Sequence, residues 1–425
     1  MSTVFFVVNF RPTSTYALSA VAGAAMQEVP TARVVLAASS PSVAAAIRVA
    51  SARGGRVVVG WSFYSTEAAR VARELADVRA RSEGSGALHV AGGPHATAEP
   101  EETLRSGFDL AVVGEGEATI GAILRDVAGG GEAHGIPGTA RLVDGRHLVH
   151  AARERVPLDA YPPFAPGLGK FSAIEITRGC VYACRFCQTP FASKAVFRHR
   201  SVDRIAHWGS VMRAAGKRDF RFITPTALSY GAAGTEVRLD RIEELFVTMR
   251  RAVGPDARIF FGTFPSELRP EHVTAEALAL LRRHVANDNL ILGGQSGSDA
   301  MLARSHRGHD AACIARAARL CAEAGFRANV DLIFGLPGET EVDARQTIDL
   351  ARRLVALGAR VHGHTFMPLP GTPWKDAPAA ALSPETIAAL EDMAGRAQIY
   401  GQWKGQAAIA QALASRDRAG GPAAG

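Results

Sequence analysis

Cysteine is scarce in this sequence, with five residues among 425. So few thiols exclude a disulfide scaffold, on which small secreted domains depend. Long apolar runs are missing as well: Ala17 to Met26 is mostly apolar but reaches half of the roughly 20 residues needed to cross a bilayer. The first residues have no basic flank and no small-residue cleavage site. We therefore expect no signal peptide and no membrane span, and we place the chain in the cytoplasm.

Lysine is rare too, with five residues against 43 arginines in a chain of net charge +7. Coding bias explains this ratio more simply than a nucleic-acid footprint does. The basic residues are also dispersed along predicted helices, as at Arg70, Arg73 and Arg79, and do not form one stripe. Nucleic acid is therefore not an expected partner. The balance of 47% hydrophobic and 21% charged residues is that of a globular protein, and the length predicts two or three domains of about 150 residues.

The first 140 residues alternate short apolar runs with helical patterns. The predicted strands are Val4–Asn9, Arg33–Ala37, Val57–Trp61, Leu88–Ala91 and Leu110–Val113. The predicted helices between them are Tyr16–Gln27, Ser42–Ala52 and Thr66–Ser82. This alternation predicts a doubly wound, Rossmann-like α/β domain with a parallel sheet covered on both faces. A ligand is expected at the carboxyl ends of its strands.

Residues 141–170 are less regular and are predicted to form a linker, with a stiff proline-rich stretch at Tyr161–Pro166. From residue 171 the alternation restarts. Six further strands are predicted at Ala173–Thr177, Phe220–Thr224, Ile259–Thr263, Leu290–Gly293, Val330–Phe334 and His364–Met367. Six βα repeats predict an open, partial (β/α)6 barrel over residues 171–375, two repeats short of a closed one. For residues 376–425 we expect a helical segment, Pro384–Ala414, followed by a disordered tail.

Three of the five cysteines stand at the end of the first barrel strand: Cys180, Cys184 and Cys187. Three thiolates can hold three corners of a cubic iron–sulfur cluster and leave the fourth iron to a ligand that is not protein. One alternative is a zinc site completed by His199, and another is three unrelated buried cysteines. The remaining two cysteines, Cys313 and Cys321, fall in one predicted helix and are interpreted as small core residues.

This Cys-x3-Cys-x2-Cys pattern, with Phe186 just before the last cysteine, resembles the radical S-adenosylmethionine (SAM) superfamily. The resemblance implies a [4Fe–4S] cluster on the three cysteines and SAM chelated to the open iron. It also implies reductive cleavage of SAM to a 5′-deoxyadenosyl radical, with an external one-electron donor such as flavodoxin or ferredoxin. By the same resemblance the SAM contacts are Phe186, Thr224, Ser266, Glu267, Gln295, Ser296, Arg307 and Leu336. The superfamily's usual Gly-Gly-Glu after the second strand is replaced here by Thr224–Ala227, so no side chain is assigned to the SAM amino group.

The N-terminal domain resembles the cobalamin (B12)-binding domain of one subgroup of that superfamily, most closely at His89–Ala96 and Phe108–Glu117. The implied cobalamin contacts are Asn9, Thr13, Trp61, Ser62, Gly92, Gly93, Pro94, Gly114, Glu115, Gly116 and Glu117. The Asp-x-His-x-x-Gly signature that supplies a lower cobalt ligand is absent after the first strand. We interpret His95 as a loop histidine with ordinary hydrogen bonds, and Trp61 and Phe63 either as corrin contacts or as packing residues.

Together the resemblances cover about residues 3 to 375. They imply a cobalamin-dependent radical SAM enzyme that methylates an unactivated carbon of a small-molecule or peptide substrate via methylcobalamin. They also imply that the corrin domain caps the barrel mouth. Tyr400, Trp403 and Lys404 are interpreted as belonging to the substrate pocket.

Three alternatives remain open. One is a ring-forming or rearranging enzyme without net methylation, and another is a non-enzymatic corrinoid or iron–sulfur sensor. The third is a tRNA methylthiotransferase, which would need a second cysteine set ahead of the barrel and a basic C-terminal β-barrel. Residues 1–179 contain no cysteine, and no pattern for such a β-barrel is visible.

Overall fold

The structure is a computed structural model that describes residues 3–152, 154–379 and 381–419. The chain divides into two compact units between Ala173 and Ile174. Among the described residues, no helix combines the length and the apolar composition required to cross a membrane.

Within the residues that the structure describes, the first unit contains a seven-stranded sheet and six α-helices. Its strands are β1 Val4–Asn9, β2 Arg33–Ala37, β3 Arg56–Ser62, β4 Leu88–Gly92, β5 Leu110–Val112, β6 Thr139–Val143 and β7 Arg146–His150. Its helices are α1 Thr15–Glu28, α2 Ser40–Ala52, α3 Ala68–Arg81, α4 Gly93–Ala98, α5 Pro100–Arg105 and α6 Glu117–Ala128. The sheet order is β2-β1-β3-β4-β5-β6-β7, and β1 to β5 are parallel. The predicted Rossmann-like fold is confirmed.

All six residues of strand β1 are buried. Phe5 and Val7 belong to one apolar cluster and Phe6 and Val8 to another, since successive side chains point to opposite faces of a sheet. The sheet therefore has a hydrophobic core on each face. The order of strands reverses between β1 and β3, which is where open α/β sheets bind ligands.

The segment predicted as a linker begins with two strands instead. β6 pairs antiparallel with β5, and β7 pairs antiparallel with β6, so the hairpin extends the sheet edge. Asp144 and Gly145 form its turn with φ values of 49° and 72°, a conformation that the Asp-Gly pair adopts readily. No residue of β7 is buried, so its sequence lacks the apolar periodicity of the other strands.

The second unit contains nine strands and nine α-helices within the described residues. Its strands are β8 Ile174–Glu175, β9 Thr177–Arg178, β10 Arg198–His199, β11 Asp219–Ile223, β12 Arg258–Phe260, β13 Asn289–Gln295, β14 Arg327–Phe334, β15 Arg360–Thr365 and β16 Ile399–Tyr400. Its helices are α7 Gln188–Ala192, α8 Val202–Ala214, α9 Leu239–Val253, α10 Ala275–His284, α11 Asp299–Arg304, α12 Ala311–Glu323, α13 Glu341–Ala356, α14 Pro384–Gly395 and α15 Trp403–Ala419.

The long strands of this unit follow one another in parallel. β8, β11 and β12 form one sheet, and β13 to β16 form another. Isolated parallel bridges join Thr224 to Ser266 and Leu268 to Leu292, which continue the ladder from the first sheet into the second. The predicted partial barrel is confirmed, and its functional loops follow the carboxyl ends of the strands.

The C-terminal segment differs from the single predicted helix. The chain leaves α14, forms the short strand β16 and then enters α15. Ile399 pairs in parallel with Val361, and Tyr400 with His362, so β16 adds a strand to the barrel. Because Ile399 is buried and held in this ladder, tertiary pairing overrides the local helical pattern. The last residues of the tail predicted to be disordered, 420–425, lie outside the described residues.

Candidate functional site

The three clustered cysteines lie on the loop between β9 and α7, at the end of the first barrel strand. Cys187 occupies the N-cap of α7. All three thiols are free of disulfides, with Cys184 buried and the other two partly exposed. Burial raises the pKa of the Cys180 thiol to about 11 and also raises that of Cys187, so both are neutral without a metal. Metal binding at this loop must therefore displace protons.

Gly179 shapes the start of this loop. Its φ is 86°, and a Cβ at this position would overlap the carbonyl oxygen of Val196 and lie 2.8 Å from the Ser193 Cβ. The Ser193 hydroxyl in turn accepts the Cys180 backbone N–H at 3.3 Å. A side chain at Gly179 would therefore push against the contact that places Cys180.

We expect Gly179→Ala to lower the free energy of unfolding by more than the roughly 1 to 2 kcal/mol that a left-handed non-glycine residue costs. The additional cost comes from the backbone clash, and bound iron should fall with it. Denaturant unfolding and iron analysis measure both effects. Gly216→Ala is the matched control, because Gly216 has a φ of 78° but open space around the added Cβ. Equal effects of the two substitutions would contradict the role assigned to Gly179.

Two buried guanidinium groups contact the Cys184 sulfur. Nη1 of Arg307 lies 3.3 Å from Sγ, and Nη1 of Arg269 lies 3.8 Å from it. Nη2 of Arg307 donates to the Gly293 carbonyl, and Nη2 of Arg269 donates to the Arg307 carbonyl. These backbone contacts aim both guanidinium groups at the thiol.

The charge of Arg307 has little compensation within the chain. Burial disfavours this charge, but the Cys184 sulfur and the Glu267 carboxyl outweigh it and raise the pKa of Arg307. No carboxylate of the described residues is within ion-pairing distance of Arg307, and its buried Nε has no hydrogen-bond partner. Such a site favours an anion, so the loop and its arginines fit a thiolate-ligated iron–sulfur cluster.

His199, the fourth ligand of the zinc alternative, makes hydrogen bonds with both ring nitrogens in the structure. Nδ1 of His199 is hydrogen-bonded to the Thr177 hydroxyl at 2.9 Å, and its Nε2 to the Ala232 carbonyl at 2.8 Å. Both ring nitrogens are therefore occupied. Cys313 and Cys321 are buried on α12, as expected for core residues.

Several predicted SAM contacts face the barrel interior. Phe186 and Gln295 line one cavity of about 210 Å³, together with Ile333 and Phe366. Leu336 belongs to the apolar cluster of Phe366, against which Phe186 packs. Burial raises the pKa of Glu267 to about 7, against the opposing effect of Arg307. The structure thus brings an apolar wall and a titratable carboxyl to this end of the barrel.

Other predicted SAM residues are held in local turns. The Ser266 hydroxyl donates to the Thr263 carbonyl and accepts the Gly262 N–H, both at 3.1 Å. The Thr224 hydroxyl donates to the Thr226 carbonyl at 3.0 Å. Their SAM contacts stay predictions, and the partners seen here are the strand-end turns.

The SAM contacts of Ser296 and Arg307 also stay predictions, and both side chains have partners within the chain. The Ser296 hydroxyl is wholly buried, 3.1 Å from that of Thr347 on α13, which turns it away from the barrel interior. Arg307 binds the cysteine loop instead of presenting a free guanidinium.

In the first unit, the residues predicted to bind cobalamin gather at the carboxyl ends of β1, β3, β4 and β5. Asn9 is buried, and its side-chain Oδ1 has no hydrogen-bond partner. The Thr13 hydroxyl donates to Glu67 at 2.9 Å, and the Gly114 N–H donates to the Thr97 hydroxyl at 3.1 Å.

The remaining predicted contacts surround these loops. Ser62 ends β3, Gly92 ends β4, and Gly93 and Pro94 begin α4. Glu115 accepts the Val156 N–H at 2.7 Å, Gly116 is the N-cap of α6, and the buried Glu117 begins that helix.

Trp61, another predicted cobalamin contact, has its indole packed in the core of this unit. Its Nε1 donates to Nδ1 of His89 at 3.3 Å, and its ring meets Phe108 edge-on at 5.8 Å. Burial lowers the pKa of His89 to about 3, which keeps that imidazole neutral as an acceptor. Phe63 likewise stacks on Phe108. Both aromatic residues therefore pack within the unit, and their contact with a corrin ring stays a prediction.

His95 is buried and its Nδ1 lies 3.1 Å from the Ser65 hydroxyl. This ordinary hydrogen bond agrees with the interpretation made from the sequence.

Sequence reasoning missed Arg269 and three interior residues of β14 and β15. Asp331, His362 and His364 form a hydrogen-bonded cluster in the barrel. The His-x-His spacing that ends at the first residue of the predicted strand His364–Met367 was the available signal, since such spacing on a strand places both imidazoles on one face.

Two family models match the chain. The one described as the radical SAM superfamily matches residues 174–351, and the one described as a B12 binding domain matches residues 11–124. Each therefore matches within one structural unit. A chain with these two domains uses a [4Fe–4S] cluster, SAM and cobalamin as cofactors.

Curated relatives include tRNA-2-methylthio-N(6)-dimethylallyladenosine synthases. The one from Sorangium cellulosum is 31% identical over 49% of this chain and 43% of its own length. The one from Rickettsia akari is 23% identical over 71% of this chain and 64% of its own length. The chain thus spans less than two thirds of either relative.

Solved structures show the same fold at low sequence identity. The radical SAM methyltransferase TsrM from Kitasatospora setae has a TM-score of 0.69 at 17% identity, covering 88% of this chain and 74% of TsrM. The cobalamin-dependent SAM radical enzyme OxsB has a TM-score of 0.65 at 17% identity, covering 83% of this chain and 52% of OxsB. The chain therefore contains a B12-binding domain followed by a radical SAM domain.

Proposed function

We propose that this protein is a cobalamin-dependent radical SAM methyltransferase that methylates an unactivated carbon of a small-molecule or peptide substrate. The observation that carries the proposal is the pairing, in one chain, of the B12-binding match with the arginine-lined cysteine loop. The cofactors of such a chain supply one-electron cleavage of SAM and methyl transfer from cobalt. An external reductant completes the requirement, and a flavodoxin or ferredoxin suits it.

In this proposal the residues of the second unit bind and orient. Cys180, Cys184 and Cys187 hold the cluster, while Arg269 and Arg307 balance its charge. Phe186 and Leu336 give SAM an apolar wall that excludes water from the reacting groups.

In the first unit, cobalamin would meet the loops at the carboxyl ends of the strands and one buried acceptor atom that has no hydrogen-bond partner. The Asn9 Oδ1 is buried without a partner, which costs free energy unless a ligand donates to it. The amide side chains around a corrin ring are donors of this kind. Asn9, Ser62, Gly93 and Gly114 are therefore the contacts that we propose first.

The names of the curated relatives raise tRNA methylthiolation as a second candidate. That reaction needs a second iron–sulfur cluster ahead of the barrel, and residues 1–179 contain no cysteine to bind one. Carbon methylation is therefore the better supported candidate.

The first test is the cofactor content of protein expressed with cobalamin and purified without oxygen. We expect about one cobalt and about four irons per chain, the content of one cobalamin and one [4Fe–4S] cluster. With SAM and a reductant, methyl transfer to cobalamin should release S-adenosylhomocysteine before any substrate is added. Four irons without cobalamin would reject the corrin assignment. Bound cobalamin that yields no S-adenosylhomocysteine would favour the rearranging alternative.

A further inference from the structure

A second set of potential metal ligands lies in the barrel interior, on strands that carry none of the three cysteines. Asp331 is on β14, and His362 and His364 are on β15. Nδ1 of His362 lies 3.0 Å from Oδ1 of Asp331 and 3.1 Å from Nε2 of His364. The third side of this triangle, from His364 Nε2 to Asp331 Oδ1, is 3.9 Å.

The strand register fixes this arrangement. Asp331 is the direct β-partner of His362, and Ile333 is that of His364. His362 and His364 are two residues apart, so their side chains share one face of the sheet. Interior positions of a βα barrel are usually filled by branched apolar side chains. Two imidazoles and a carboxylate at these interior positions are therefore unusual for such a barrel.

The charges of this cluster are not balanced by arginine or lysine. Among the residues that the structure describes, only the two histidines lie within ion-pairing distance of Asp331. Tyr400 stacks on His362 at 4.6 Å and adds no charge. The carboxylate therefore has no arginine or lysine as a permanent counter-ion.

The hydrogen bonds of the cluster also leave two acceptor atoms facing each other without a proton between them. Gln406 accepts the Thr365 N–H on Oε1 at 2.9 Å, which turns its Nε2 toward Nδ1 of His364 at 3.2 Å. A neutral His364 then carries its proton on Nε2 and donates it to Nδ1 of His362. That nitrogen has only one lone pair, so at 3.0 Å it presents an acceptor to the Asp331 carboxylate. The cluster is short of one cation.

We propose that Asp331, His362 and His364 bind a divalent transition-metal ion of the Zn²⁺ or Fe²⁺ type through Oδ1, Nδ1 and Nε2. The point in their plane that is equidistant from the three atoms lies about 2.0 Å from each, the length of a zinc–nitrogen or zinc–carboxylate bond. A single added proton can form a hydrogen bond in only one of the three contacts between these atoms. An ion at this point takes a lone pair from all three atoms.

The ion would be open on one side. Asp331 and His364 line the cavity of about 210 Å³ that also contains Phe186 and Gln295. Three protein ligands leave at least one coordination position for water or for an oxygen or nitrogen donor of a ligand in that cavity. This site is distinct from the cysteine loop and does not depend on the proposed methyltransferase activity.

Gln406 gives the proposal a directional test. A metal on Nε2 of His364 moves the ring proton to Nδ1, which then needs an acceptor. Gln406 presents its NH₂ group there, so its amide must turn over at the expense of the Thr365 hydrogen bond. Gln406→Glu offers an acceptor to both groups. We expect this substitution to tighten metal binding by about tenfold or more, the usual scale of such outer partners.

The experiment is equilibrium dialysis of the holoenzyme against Zn²⁺ without oxygen, with zinc, iron and cobalt counted separately. We expect one zinc per chain, at least a tenfold weaker affinity in His364→Gln and in His362→Gln, and a tighter one in Gln406→Glu. The iron count should be the same in all four proteins. Loss of zinc binding through misfolding would also lower the iron count, and misfolding cannot produce the gain expected in Gln406→Glu.

The proposal is overturned if the holoenzyme binds no zinc beyond the level of the two histidine variants, or if Gln406→Glu weakens binding. Failure of the methyltransferase proposal has a different signature. In that case the cobalt count or S-adenosylhomocysteine release fails while the zinc result is unaffected.

Discussion

Protein in which Cys180, Cys184 and Cys187 are all replaced by alanine is expected to retain no more than background iron, against about four irons per chain in the natural sequence. The three thiols share one loop at the end of the first barrel strand, and within the described residues the remaining two cysteines are buried on α12. Formation of 5′-deoxyadenosine from SAM should disappear with the iron. Iron and sulfide analysis after anaerobic reconstitution measures the first effect, and chromatography of the SAM products the second.

Two matched controls belong to this experiment. Cys313→Ala and Cys321→Ala each remove a buried thiol from α12 and should leave four irons in place. Circular dichroism shows whether the triple variant remains folded. Cluster iron retained in a folded triple variant would refute the assignment of the cysteine loop, as would loss of iron in the α12 variants alone.

The second large effect is expected at Arg307. Its guanidinium donates to the Cys184 sulfur at 3.3 Å from a site that is almost fully buried. Reduction adds negative charge to a cluster, so a neighbouring positive donor stabilises the reduced state more than the oxidised one. Arg307→Gln should therefore lower the midpoint potential. A hydrogen bond to a charged group contributes about 1.5 kcal/mol at the lower end, which corresponds to roughly 60 mV for one electron.

Redox titration followed by electron paramagnetic resonance measures this shift independently of turnover. Arg307→Lys is the control, since it keeps a positive charge and loses the forked geometry. We expect it to lie between the natural protein and the glutamine variant. A potential that is the same in all three proteins would show that Arg307 only fills space behind the loop.

The cysteine loop and Arg307 differ in how readily their roles can be predicted from the sequence. The cysteine spacing can be interpreted from the chain alone, because a short loop brings thiols three and four residues apart to one ligand. Arg307 was assigned to SAM, and Arg269 to nothing. Their approach to Cys184 depends on where the loops after β12 and β13 meet the loop after β9, which no local pattern encodes.

The fold likewise has parts that the sequence predicts and parts that it does not. The buried strand β1 was predictable because parallel strands that are covered on both faces are apolar along their length. The hairpin of β6 and β7 was missed although Asp144–Gly145 is a recognised turn pair, since β7 has no buried residue and neither strand has a clear apolar period. Trp61 was predicted at the ligand edge because it is the last residue of the predicted strand Val57–Trp61. Its burial follows from the alternation of side chains, which turns it toward His89 and Phe108.

The short strand β16 has a consequence for the solubility of the protein. Without it, β15 would present a row of unpaired backbone N–H and C=O groups, which is a template for pairing with another chain. β16 pairs with this edge at Val361 and His362, and Trp403, the first residue of α15, accepts the Thr365 hydroxyl on its carbonyl at 2.9 Å. The residues after α14 thus protect the barrel from edge-to-edge aggregation, and a shortened chain that ends at Gly395 would lose that protection.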